Sequence, residues 1–138
     1  MGNVNLLAAL LGAVAFFAVG AVWYSVLFGK AWQAETGFTD EMIAAGQKPG
    51  ENPMWLIMGL CFLFQLLIAV VLGHAIAMIA PSAAGIMMLA LGLAVGVMAP
   101  AIGINYLYQA KSGKLYAIDA GYAIVGMAAM GGVFVLLS

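Results

Sequence analysis

The sequence predicts an all-α fold: a four-transmembrane-helix bundle with the N-terminus and C-terminus both on the extracytoplasmic side. Three observations lead there. Four apolar stretches, each long enough to cross a bilayer, take up most of the 138 residues. None of the stretches contains Lys or Arg, and only the last contains a carboxylate, Asp119. The composition, 67% hydrophobic and 7% charged with a mean hydropathy of +1.16, is far from the roughly 25% charged residues of a soluble domain. Lipid is therefore the reference phase for the whole chain, which reads as a single transmembrane domain over residues 1–138.

A helix crossing a ~30 Å hydrocarbon core needs about 20 apolar residues. The spans run over about 4–28, 54–79, 84–108 and 115–137. They are apolar on all sides, whereas barrel strands alternate apolar and polar residues. The first span is expected to be retained: no basic residue precedes it, and its apolar run is longer than a signal peptide's. Leu6 also breaks the myristoylation pattern.

Orientation follows from the cations. Lys30 and Lys48 lie in the first connection and Lys111 and Lys114 in the third, and these are all four Lys and Arg residues. The positive-inside rule puts both connections in the cytoplasm. Pro81-Ser82 makes a tight outer turn, so the second and third spans are expected to form an antiparallel hairpin. The cytoplasmic loop 29–53 is the longest polar segment. The first span is expected to continue helically through Trp32 and stop before Gly37. A short interfacial helix near 39–45 then follows, with Thr39 as N-cap, Asp40 and Glu41 in its first turn, and a staple between Phe38 and Ile43. Gly46 and Pro49 end it.

Lipid tails are as apolar as Leu, so the helices must be held by close packing and interhelical hydrogen bonds. On the third span Gly85, Gly92, Gly96 and Gly103 fall within about 20° of one line at ~100° per residue. Gly92 and Gly96 form a GxxxG pair, a packing signal. Pro100 removes the hydrogen bond to the Gly96 carbonyl, which predicts a kink. The fourth span carries a similar stripe of Ala117, Gly121, Ala128 and Gly132. Asp119, Tyr122, Gly126 and Met130 make a second line, with Asp119 about 160° from Gly121. Two packing faces on one helix predict homo-oligomerisation or docking on a larger membrane complex.

The polar residues give one candidate site. Asp119 on the fourth span, Asn105 on the third and Tyr24 and Ser25 on the first all fall in one cytoplasmic layer, with Tyr106 and Tyr122 nearby. Acids inside membrane segments are rare and face the interior or water. Asp119 could exchange a proton or bind a cation, or it could clamp three helices together, and the clamp is favoured. Gln65 sits near the middle of the second span. His74 lies about 180° around the same helix, so the two do not line one path. Trp23, Trp32 and Trp55 read as interfacial anchors.

Other chemistries find no support. No phosphate-binding Gly-rich loop, HExxH or GxSxG motif is present. There is no Arg, and four dispersed lysines make no nucleic-acid surface. Cys61 is alone, no metal-ligand spacing occurs, and the ten Met residues suit adaptable packing. No cofactor, metal or catalytic residue is implied.

The motifs Gly20-Ala21-Val22-Trp23-Tyr24-Ser25, Leu27-Phe28-Gly29-Lys30-Ala31-Trp32 and Gly37-Phe38-Thr39, followed by Asn105-Tyr106 and Ile118-Asp119-Ala120-Gly121-Tyr122, resemble the bacterial "domain of unknown function 1761" membrane proteins. The likeness covers nearly the whole chain, in order and with suitable spacing. Val26 departs from it, standing where the pattern expects proline. The resemblance implies a four-helix inner-membrane protein of this size and no activity.

The expected function is thus a structural or accessory bundle of the bacterial inner membrane, with a small transporter or channel component using Asp119 as the alternative. The orientation is testable. An amine reagent that cannot cross the bilayer should modify Lys48 and Lys111 in inside-out vesicles and spare both in right-side-out ones. Labelling from opposite sides would dismantle the Asp119 layer.

Overall fold

The computed structural model describes residues 3–44 and 53–138. Four of its helices are long and apolar enough to cross a membrane: Leu6–Leu27, Met54–Ile79, Ala83–Tyr108 and Gly113–Leu136. Among the described residues there is no strand. The first span is α1 (Leu6–Val22) closed by a wide π-type turn (Trp23–Leu27). Two short helices follow, α2 (Gly29–Thr36) and α3 (Asp40–Ala44). The second span is α4 (Met54–Ile79). The third is α5 (Ala83–Leu93), a second wide turn (Ala94–Met98) and α6 (Ala99–Tyr108). The fourth is α7 (Gly113–Leu136).

Four of the helix starts have a side-chain cap. Asn5, Thr39, Ser82 and Ser112 accept backbone N–H bonds from Ala8, Met42, Gly85 and Leu115, which satisfies donors the helix cannot. Gly37 ends α2 with φ +79, the left-handed cap that suits glycine. Gly46 and Pro49 lie outside the described residues, as does the side chain of Ile43.

The first span does not run evenly into α2. Phe28, at φ −125, interrupts it, and its N–H bonds to the Trp23 carbonyl five residues back at 2.8 Å. Glycine is required next: a Cβ on Gly29 would lie 2.7 Å from the Tyr24 carbonyl oxygen. The chain therefore breaks here with Val26 in place of proline.

The second and third spans turn tightly through Ala80, whose φ is +51, yet they do not pair as a hairpin. Helix α4 packs along α1, α5 packs along α7, and α4 and α5 scarcely touch. The reason lies in their buried rows. Ala69, Leu72 and Gly73 of α4 join the core from one side, and Ile86 and Ala90 of α5 join it from the other. Helix α7, the most buried of the four spans, stands between α1 and α5–α6.

The seam between α1 and α7 alternates large against small at every turn. A Cβ on Gly12 would meet the Met130 side chain at 3.0 Å, one on Gly126 the Phe16 ring at 2.6 Å, and one on Gly20 the Tyr122 hydroxyl at 2.8 Å. Positions 12, 16 and 20 of α1 thus face 130, 126 and 122 of α7, and Tyr24 continues the row to Asp119. Helices that lack a hydrophobic drive toward each other gain most from such close approach.

The expected glycine stripe divides. A Cβ on Gly85 would meet Pro81 and Ser82 of its own turn, one on Gly103 would lie 3.5 Å from the Tyr116 ring, and Gly121 sits under Trp23. Gly92, Gly96 and Gly132 have nothing within 4 Å of an added Cβ. On the third span the change between Gly92 and Gly103 comes at the wide turn Ala94–Met98, where the Ala99 N–H bonds the Ala94 carbonyl five residues back. It adds a residue to the repeat. The buried row Ile86, Ala90, Ala94 therefore continues at Ala99, not at position 98, and an even count of ~100° per residue fails beyond it. The bend expected from Pro100 takes the form of this wide turn.

Gly126→Val should accordingly cost about 1–3 kcal/mol by overpacking against the buried Phe16 ring. Gly132→Val should be nearly neutral. Unfolding titrations of the two variants in mixed micelles check the contrast.

Candidate functional site

The wide turn at Trp23–Leu27 delivers two aromatic residues to α7. The Trp23 indole N–H donates to the Ile118 carbonyl at 2.9 Å, and its ring covers Gly121. Trp23 is therefore an interhelical tie, whereas Trp55 is exposed. Trp32 stands edge-on to Tyr24, with centroids 6.0 Å apart, and lies 5.0 Å from Phe38.

Next to Trp23, the Tyr24 hydroxyl donates to Oδ1 of Asp119. The Tyr106 hydroxyl, from α6, donates to Oδ2. One half-buried carboxylate thus receives a phenol from each of two other helices. A carboxylate offers acceptors at both oxygens and so suits two donors arriving from opposite sides. Tyr116 adds a further tie, donating to the Ala99 carbonyl at 2.9 Å.

Nearer the middle of the bundle a second polar pair stacks on the first. Gln65, 6% exposed, donates through Nε2 to the Tyr122 hydroxyl at 2.5 Å. Tyr122 stands edge-on to Tyr24, with centroids 5.2 Å apart, and to Phe16 at 5.1 Å. The Gln65 Oε1 is buried and has no partner among the described residues. The bundle thus keeps one unmatched acceptor in its interior, an arrangement that usually has a reason in native structures.

Of the residues singled out from sequence, Asp119, Tyr24 and Tyr122 come together, and Gln65 joins them. Ser25 does not: it is exposed, and its hydroxyl donates to the Ala21 carbonyl one turn back. Asn105 is exposed as well, and its neighbour Tyr106 occupies the place expected for it. The wide turn of the third span explains the exchange, since it sets which residues beyond it face α7. His74 is exposed on α4, away from the cluster. Trp23 as an interhelical donor was not expected. An indole five residues before the helix break at Phe28 was its one signal.

A family model described as "Protein of unknown function (DUF1761)" matches residues 7–135. The chain belongs to that family. No curated protein and no solved structure matches it. Every residue of the polar layer lies inside the matched range, so the DUF1761 match includes both wide turns and the Asp119 contacts.

Interhelical hydrogen bonds in membranes are worth about 0.6 kcal/mol on average and up to about 1.7. Tyr24→Phe and Tyr106→Phe should each destabilise the protein by that order. Asp119→Leu should cost more than either, because it leaves two phenols without an acceptor. Once Asp119 is Leu, adding either Phe change should cost little, and a double-mutant cycle on unfolding in detergent reads that coupling.

Proposed function

We propose that this protein is a structural or accessory component of the bacterial inner membrane that catalyses no reaction. It associates with itself or docks on a larger membrane complex, with both termini outside and the lysine-bearing connections in the cytoplasm. The observation that carries this reading is the use of Asp119. Both carboxylate oxygens accept from tyrosines on two other helices, so the one acid within the spans serves to join α7 to the first and third spans. The open side of the third span supports association. Gly92 and Gly96 are exposed there, together with Met88, Val95 and Val97. An apolar face bearing small residues permits close approach of another helix.

One observation favours a second reading. The unmatched Oε1 of Gln65 could receive a proton-bearing or polar solute that then reaches the Asp119 layer, as in a small transporter or channel component. The two readings separate in proteoliposomes. Under the structural reading, wild-type protein conducts protons no faster than empty liposomes, and Asp119→Asn lowers the thermal unfolding midpoint in detergent by a few degrees. Proton or cation flux above the empty-liposome level that is lost in Asp119→Asn would overturn it.

A further inference from the structure

Gln65 and Tyr122 have complementary needs. The Gln65 amide donates through Nε2 to the Tyr122 hydroxyl oxygen at 2.5 Å, while its buried Oε1 accepts from no described residue. The Tyr122 hydroxyl carries a proton of its own, and no acceptor for it is found among the described residues. On the α1 side this hydroxyl stands against Gly20, which has no side chain to take the proton. One acceptor and one donor are thus left over at a single contact, on a glutamine that is only 6% exposed. Among the described residues the same contact is the one side-chain hydrogen bond from α4 to another helix.

The chemistry of the two leftover groups restricts what can join them. A molecule between them must accept the phenol proton and also donate to the amide oxygen. An ammonium ion has no lone pair to accept with, a metal ion has neither lone pair nor proton to offer, and chloride has no proton to give. A neutral hydroxyl does both. The burial of Gln65 limits its carrier to the smallest one, water.

We propose that one internal water is bound between Gln65 and Tyr122, accepting from the Tyr122 hydroxyl and donating to Oε1. The three groups then close a ring: amide N–H to phenol oxygen, phenol O–H to water, water to amide oxygen. Turning the amide over reverses the direction of the ring and still requires one water. A buried water makes about two to four hydrogen bonds, and the ring supplies two of them. It satisfies the buried acceptor, as native interiors generally do, and makes the polar hold of α4 on α7 complete. This accounts for Oε1 without transport, and an ion has no place in it.

Water-edited solid-state NMR of the full chain in lipid bilayers tests this, with the glutamine side-chain nitrogens isotope-labelled. Gln65→Leu identifies the Gln65 signal by its loss. In wild type, magnetisation from water protons should reach the buried Gln65 amide within milliseconds, at a rate comparable with that of the exposed Gln109. Tyr122→Phe removes the hydroxyl from the ring and keeps the aromatic packing. It should slow the transfer to Gln65 several-fold and leave Gln109 unchanged. Absence of transfer to Gln65 in wild type would overturn the proposal, whatever the variants do. So would undiminished transfer in Tyr122→Phe. A wild-type Gln65 signal that shifts on addition of ammonium or sodium chloride would overturn it too, since an ion would then be the occupant.

Discussion

In a bilayer the usual reason for two apolar helices to meet is missing, because the lipid offers each of them an equally apolar surface. What remains is how closely two backbones can approach and how many atoms then touch. The seam of α1 and α7 answers both needs with one device. Glycines at 12, 20 and 126 receive Met130, Tyr122 and Phe16, so every turn of one helix inserts a bulky group where the other has none. The remaining contacts depend on it. Helix α4 is laid along α1 and reaches α7 through Gln65, and α5–α6 are laid along α7. The polar layer then sits at the end of the same four-residue row, where Tyr24 reaches Asp119.

The order of events along this seam also explains why a carboxylate is tolerated there. A charged group inside a span is expensive unless it faces the interior and is given partners. Size complementarity brings Tyr24 within reach from one side, and the wide turn of the third span brings Tyr106 from the other. Apolar packing thus positions the donors, and the donors make the acid affordable. The Gln65–Tyr122 pair one step inward follows the same logic only in part, since one amide oxygen stays unmatched.

Much of this was legible in the residues. Long apolar runs without Lys or Arg mark the spans, and the bounds of the second, Met54–Ile79, appear in the sequence as they do in the structure. Asp119, Tyr24 and Tyr122 could be placed in one layer by depth alone, because a membrane turns sequence distance into height. Rotation was harder to read. Asn105 and Tyr106 have nearly the same height and differ by about 100°, so choosing between them needs the phase of the helix. That phase is altered by a wide turn with no certain sequence mark. The same turn separates Gly92 and Gly96, which are open, from Gly103, which faces Tyr116. The hairpin failed for another reason: a short loop fixes where two helices begin, while their buried rows decide which neighbours they follow.

The step at Ala94–Met98 also determines what alterations in length the third span can absorb. A helix of even pitch accepts gained or lost residues only in whole turns, since any remainder rotates everything downstream. Here one surplus residue is stored in the middle, and the two halves are geared separately. The half near Pro81 meshes with α7 through Ile86 and Ala90, and the other presents Tyr106 to the acid. Losing that single residue would shorten the rod by only ~1.5 Å yet swing the phenol through about 100°. For this span, then, a deletion too small to matter for crossing the bilayer is large enough to disengage the helix from its neighbour.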